Sequence, residues 1–314
     1  MSTELKQGMV PTPDGTQLCA YRIGTGPQAV IIPNAIYLLE HFAYLGRDLT
    51  VVSYDLRNRG RSTPVHDRAL LHRGIHHDVD DLETVRQFFE LERPHLVGHS
   101  YLGLAVILYA ITNPKNCGRI VQIGPPSPDH GAVYPPELTA PDLEAIASSE
   151  SARQLQRLRN DGMVASDPKE FCRHWWEFMR RVYVAIPGAE VALGDHYCEF
   201  ENEWPLNMEA HLSQNILPSI ARLALRQEDI DQVEVPVLTI HGRRDRNAPY
   251  GAGRDWAARL SDARLLTIEE AAHFPFLERP DVVGPAVRQF LDGVWPTAAT
   301  LIEPSTTPNP EDQP

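Results

Sequence analysis

Short apolar runs rich in β-branched residues alternate with helix-patterned segments, and this alternation constrains the fold more than any other feature of the chain. A strand is predicted at 16–23 after a Pro-Asp-Gly turn, then at 29–32, 49–54, 95–97 and 119–123. Pro33 stops the second of these. The segment 78–90 places Val79, Leu82, Val85, Phe88 and Phe89 at helical spacing, with acidic residues in its first turn. The segment 102–112 is apolar throughout, as expected of a helix packed on a sheet. Strands without polar alternation, separated by helices, form a parallel sheet covered on both faces. The predicted class is therefore α/β, with a mostly parallel central sheet.

The rhythm breaks after Gly124. The segment 125–141 is proline-rich, and charged helical patterns follow at 142–159, 168–183 and 217–226 with no strand among them. Strand signals return at 235–240 and 264–268. A last helix at 281–291 carries Val282, Val283, Val287, Phe290 and Leu291 toward the core. The expected layout is a core at 1–125, a helical cap at 126–228, the rest of the core at 229–295 and a disordered tail at 296–314.

The sharpest local signal is Val97-Gly98-His99-Ser100-Tyr101-Leu102-Gly103. A strand ends, a serine follows, and a helix begins, which is the setting of a nucleophile elbow. The serine must stand at the apex of a strained turn whose neighbours approach other backbone closely. Gly98 suits that demand. Leu102 departs from G-x-S-x-G, and the second glycine falls one residue later at Gly103. A serine hydroxyl needs a base, and the base needs an orienting acid. Asp245 ends the turn His241-Gly242-Arg243-Arg244-Asp245 after a strand, and His273 lies in Ala271-Ala272-His273-Phe274-Pro275 after the last strand. Each has a plainer reading: Ser100 as an ordinary helix start, Asp245 as a turn acid, His273 as a packed ring. Their order, each after a strand end, favours the catalytic one.

With these pieces, the segment from Tyr54-Asp55-Leu56-Arg57-Asn58-Arg59-Gly60-Arg61-Ser62, and Phe276-Leu277-Glu278-Arg279-Pro280, the chain resembles the α/β-hydrolase family, in the branch with a helical cap after the sixth core strand. The resemblance spans roughly 17–291, apart from the cap sequence. It implies an α/β-hydrolase core, a Ser100–His273–Asp245 triad, and an oxyanion hole that uses the Tyr101 N–H. The second oxyanion donor is expected from Ile36, with Ala35 as the alternative, because Asn34-Ala35 stand where the family usually has His-Gly. Proline iminopeptidases resemble the chain in cap layout and in the segment 54–62, but carry His-Gly-Gly-Pro-Gly at that loop. Serine in place of aspartate at the nucleophile position argues against dehalogenase and epoxide-hydrolase chemistry.

The expected function is hydrolysis of a small carboxylic ester or related acyl bond through an acyl-serine intermediate. The alternatives are a proline iminopeptidase-like aminopeptidase and a non-hydrolytic receptor or lyase on the same fold. Candidate substrate-binding residues are Asn34, and Trp175, Trp176, Glu201, Glu203 and Trp204 of the cap. No cofactor is called for. The histidines at 66, 72, 76 and 77 beside Asp78 have no matching distant set, so no metal site is expected. The formal net charge of −13, with 42 acidic and 29 basic residues, argues against nucleic acid and anionic membrane surfaces. A small-molecule substrate is the expected partner, and homo-oligomerisation is compatible with the sequence. The four cysteines lack any paired spacing and are expected as free, buried thiols. A polar stretch at 1–8 without an apolar core points to the cytoplasm.

Overall fold

The computed structural model describes residues 5–65 and 67–303. His66 of the histidine-rich stretch, and residues 304–314 of the expected tail, lie outside that description. Eight strands form one sheet: β1 (Lys6–Pro11), β2 (Gln17–Ile23), β3 (Ala29–Pro33), β4 (Thr50–Tyr54), β5 (His95–His99), β6 (Ile120–Ile123), β7 (Val237–Gly242) and β8 (Ala263–Ile268). Their order across the sheet is β1-β2-β4-β3-β5-β6-β7-β8. The pairs β1·β2 and β2·β4 are antiparallel, and every later neighbour pair is parallel.

Residues of β4, β6 and β7 are buried along their whole length, which is why these segments read as unbroken apolar runs rather than alternating ones. Successive side chains still go to opposite faces. Ile31 and Ile120 join one core cluster with Leu82, Val85, Ile107 and Trp256. Val30, Ile32 and Val121 join the other with Leu38, Phe42, Val287 and Phe290. The helices α1 (Ala35–Phe42), α2 (Ile75–Phe88) and α3 (Tyr101–Thr112) belong to the first part of the core.

Between β6 and β7 the described chain forms helices and no strand. These are α4 (Leu143–Ala147), α5 (Glu150–Asn160), α6 (Met163–Ser166), α7 (Pro168–Tyr183), α8 (Pro205–Met208), α9 (Leu217–Ala221) and α10 (Gln227–Ile230), with a π-helical turn at Glu209–Ile216 before α9. The single helix expected at 142–159 is two, because Ser149 turns out of the helix and caps the next one through Ala152 N–H at 3.3 Å. After β7 come α11 (Tyr250–Arg259), then α12 (Pro275–Glu278) and α13 (Pro280–Leu291).

Two expectations are corrected here. Cys172 on α7 and Cys198 in the turn Asp195–Glu199 form a disulfide, with Cα atoms 5.8 Å apart, so only Cys19 and Cys117 are free. The 26-residue separation carries no spacing signature, because the cap fold alone brings the two together. The tail is not disordered from 296. Thr300 exchanges both backbone hydrogen bonds with Leu265 at 2.9 Å, and Ala299 is buried. β8 is an edge strand with open N–H and C=O groups, and Thr300 satisfies two of them at Leu265.

Candidate active site

Ser100 stands between β5 and α3 at φ 58°, ψ −134°, a conformation that non-glycine residues rarely adopt. Its N–H is held by Ile123 O at 2.8 Å, and its carbonyl accepts from Gly103 N–H at 2.8 Å. A Cβ at position 98 would lie 2.3 Å from Leu102 O, so the turn admits only glycine there. A Cβ at position 103 would lie 3.1 Å from the Pro125 side chain. The second close approach therefore falls at 103, and position 102 is free to hold a buried leucine. Beneath the turn, Gln122 donates to Gly103 O at 2.9 Å and accepts from Thr239 at 3.1 Å.

Asp245 and His273 meet above the C-terminal ends of β7 and β8. His273 Nδ1 lies 2.7 Å from Asp245 Oδ2. Oδ1 of Asp245 accepts from Asn247 N–H and Ala248 N–H, both at 2.8 Å. His241 Nε2 lies 3.1 Å from Ala248 O and 3.3 Å from Asp245 Oδ2, so that nitrogen carries the proton and donates to both. Burial pushes the Asp245 carboxyl up, but His273 beside it and these donors outweigh burial and hold it well below the usual carboxylate range. The imidazole at 273 is thereby fixed with its proton on Nδ1 and a lone pair on Nε2.

The loop that carries His273 is held from several sides. His99 Nε2 donates to His273 O at 2.9 Å. Burial first, then the neighbouring His273, lowers the His99 pKa to about 3, which keeps it a neutral donor. Tyr183 O accepts from His273 N–H and Phe274 N–H at 3.0 and 3.2 Å, and the Tyr183 ring stacks on the imidazole at 5.4 Å. Buried Glu278 accepts from Ala272 N–H at 2.6 Å and from Ala185 and Ile186 N–H at 2.6 and 2.8 Å, joining the histidine loop to the end of α7. His99, Tyr183 and Glu278 were not singled out from the sequence as functional.

The expected second oxyanion donor is corrected. Ile36 N–H already donates to Asp55 Oδ1 at 2.8 Å. Asn34 has φ 75°, in the left-handed region that glycine favours and asparagine tolerates. The candidate for such a donor is then Ala35 N–H, one residue earlier. Ala35 and Tyr101 are the first residues of α1 and α3, so their N–H groups have no acceptor within their helices.

Ser100, His273, Asn34, Trp175 and Trp176 line one cavity of about 530 Å³. Apolar side chains from Met208, Leu212, Leu217 and Ile220 form much of its wall. The other cap candidates lie elsewhere. Glu203 is buried and accepts from Arg59 at 2.6 and 3.0 Å, Tyr37 OH at 2.7 Å and Gly60 N–H at 2.8 Å. It ties the helical segment between β6 and β7 to the core, and no acceptor site is left for a substrate amine. Trp204 donates to Cys198 O at 2.9 Å and packs in the core cluster, and Glu201 is exposed; neither lines the cavity.

Asn247, two residues after the acid, also lines the cavity, and its side-chain nitrogen lies 3.1 Å from His273 Nε2. Among the described residues no group of three His, Cys, Asp or Glu side chains is arranged to hold a metal. None of the described helices is long and apolar enough to cross a membrane.

A family model described as alpha/beta hydrolase fold matches residues 33–280. A pimeloyl-[acyl-carrier protein] methyl ester esterase of Neisseria meningitidis is 35% identical over 156 residues, which cover 44% of this chain and 44% of that protein. A 2-hydroxy-6-oxononadienedioate/2-hydroxy-6-oxononatrienedioate hydrolase of Cupriavidus pinatubonensis is 23% identical over 92% of this chain and 91% of its own length. Among solved structures, a serine hydrolase of Cycloclasticus zankles superposes with a TM-score of 0.70 at 15% identity, covering 92% of this chain and 99% of its own.

Proposed function

This chain belongs to the α/β-hydrolase family, and we propose that it hydrolyses a small carboxylic ester through an acyl-Ser100 intermediate. The observation that carries the proposal is the conjunction of two features at one cavity: a serine at positive φ on a strand–helix turn, and a histidine whose Nδ1 is fixed by a buried, ionised carboxylate. His273 takes the Ser100 proton as Oγ bonds to the carbonyl carbon. The oxygen of the tetrahedral intermediate receives hydrogen bonds from Tyr101 and Ala35 N–H. His273 Nε2 then protonates the leaving alkoxide as the C–O bond breaks, and water repeats the sequence to release the acid.

The segment 126–228 acts as the cap that selects substrate, with Trp175, Trp176, Met208 and Leu212 receiving an apolar acyl chain. The printed activity of the Neisseria relative, a methyl ester esterase, supports an ester of this kind. The relative that aligns over nearly the whole chain is named for an oxo-dienedioate, so such acids belong in the substrate screen. The aminopeptidase alternative loses support, because Glu203 is committed to Arg59 and Glu201 does not line the cavity. A cytoplasmic location remains the proposal from the sequence, and the Cys172–Cys198 disulfide opposes it, since disulfides persist in oxidising compartments.

The test is labelling with a fluorophosphonate probe, followed by a screen of p-nitrophenyl and methyl esters of graded acyl length. Labelling that is lost in Ser100→Ala and strongly reduced in His273→Ala, with ester turnover lost in parallel, is the expected result. A folded wild type that binds apolar esters without labelling or turnover would transfer the site to the receptor reading.

A further inference from the structure

The free-enzyme geometry leaves one contact that the proposed mechanism does not use. With its proton on Nδ1 facing Asp245, His273 presents the Nε2 lone pair to the cavity, and Asn247 Nδ2 sits on it at 3.1 Å. Among the described residues, no hydrogen bond joins Ser100 Oγ to His273, although both line the same cavity. The group that must accept the serine proton is held by an amide instead.

The placement of Asn247 gives the contact a direction. Its backbone N–H is fixed to Asp245 Oδ1, so the residue cannot drift away from the acid. Its side chain is exposed to the cavity, so a ligand can reach it. It shares its wall with Ala248 and Pro249 after β7 and with Pro126, Ser127 and His130 after β6, and the latter loop is tied to α11 by the Trp256–Pro126 hydrogen bond of 2.7 Å. Much of the apolar lining comes from the segment between β6 and β7, with Tyr37, Leu102 and Phe274 of the core adding to it. The leaving group must pass next to Nε2 to collect its proton, so it occupies the Asn247 side, and the acyl chain takes the apolar side.

We propose that Asn247 is a positioning residue that holds the His273 lone pair in the free enzyme and releases it when the leaving group of the substrate offers the amide a better acceptor. The inference rests on the triad reading above. The preferred substrates are esters whose alcohol part carries an ether, hydroxyl or carbonyl oxygen near the scissile bond. The exchange is one of hydrogen bonds only. Asn247 N–H passes from Nε2 to the leaving-group oxygen and stays neutral, and Nε2 then accepts the Ser100 proton and later returns it to the departing alkoxide.

The experiment compares the 2-methoxyethyl and butyl esters of one acyl chain, nearly equal in size and differing in one acceptor oxygen, alongside fluorophosphonate labelling. The proteins are wild type, Asn247→Ala and the near-isosteric Asn247→Leu, each checked for an unchanged unfolding midpoint. Wild type should favour the methoxyethyl ester in kcat/KM by about three- to tenfold, the span of one neutral hydrogen bond. Both variants should lose that preference, and both should label faster than wild type because the lone pair is no longer held. A preference retained in both variants, or labelling that slows equally for both, overturns the inference while leaving the triad reading intact. A wild type that does not label at Ser100 removes the triad reading and this inference with it.

Discussion

Replacement of Glu203 separates a structural carboxylate from a substrate-binding one. The side chain is fully enclosed, and Arg59 beside it is 4% exposed. Four hydrogen bonds end on it: two from Arg59, one from Tyr37 and one from Gly60 N–H. Glu203→Gln keeps the shape and removes the charge, which strands the Arg59 cation in the interior. Breaking one partner of a buried pair costs about 3–5 kcal/mol. With an unfolding entropy of about 2.1 cal/mol/K per residue, a chain of 314 residues shifts by about 1.5 °C per kcal/mol, so the unfolding midpoint should fall by roughly 5–8 °C. The double variant Arg59→Met/Glu203→Leu removes both charges and should recover most of that loss, because the net contribution of a buried pair is small beside an apolar replacement of similar volume. Thermal unfolding followed by circular dichroism reads both effects. A Glu203→Gln protein that keeps the wild-type midpoint but binds cationic substrates less well would refute the argument and return Glu203 to the role of an amine-binding group.

Gly98→Ala should lose about 100-fold or more in fluorophosphonate labelling, because its Cβ would overlap Leu102 O at 2.3 Å and the serine must shift to relieve it; unchanged labelling would show that the turn does not need the glycine. Removing the Cys172–Cys198 bridge by Cys172→Ser/Cys198→Ser should cost about 3–4 kcal/mol for a loop of this length, read as a lowered midpoint, and alkylation mass spectrometry should find only Cys19 and Cys117 reactive in unfolded, non-reduced wild type. Burial first, and then the neighbouring Asp81, push the Asp78 carboxyl up to about 8, from 3.8 in the unfolded chain. The folded state therefore holds this proton more tightly, and the stability it contributes is full below about pH 4 and is lost as pH rises through 8. Asp78→Asn should thus gain in midpoint relative to wild type between pH 5 and 9, and a difference independent of pH would contradict the shift.

The parallel strands were legible because both of their faces are buried, so each reads as a continuous β-branched run. β1 gave no such signal: of its six residues only Val10 is buried, and its backbone pairing with β2 holds it in place. α11 was hidden by two glycines in its first turns, present because Gly251 packs on Tyr134 and Gly253 on His241. Ser100, Asp245 and His273 were readable as a candidate triad, since each follows a strand end. Ile36 was expected as an oxyanion donor, and only the fold shows that its N–H is spent on Asp55, 19 residues away. Asn247, Tyr183 and Glu278 reach the His273 loop through contacts across the fold, and no local pattern announces such contacts. Glu203 was noticed for its charge, but its partner Arg59 lies 144 residues away.

Glu278 carries a consequence for anyone who would exchange caps between relatives. A foreign segment grafted at 126–228 must bring two backbone N–H groups to the places held by Ala185 and Ile186. Without them the carboxylate, which burial already presses toward its neutral form, would be left with Ala272 N–H as its remaining backbone donor. The Ala272 loop beside His273 would then lose its tie to the inserted segment, so a graft has to satisfy this junction as well as the pocket lining.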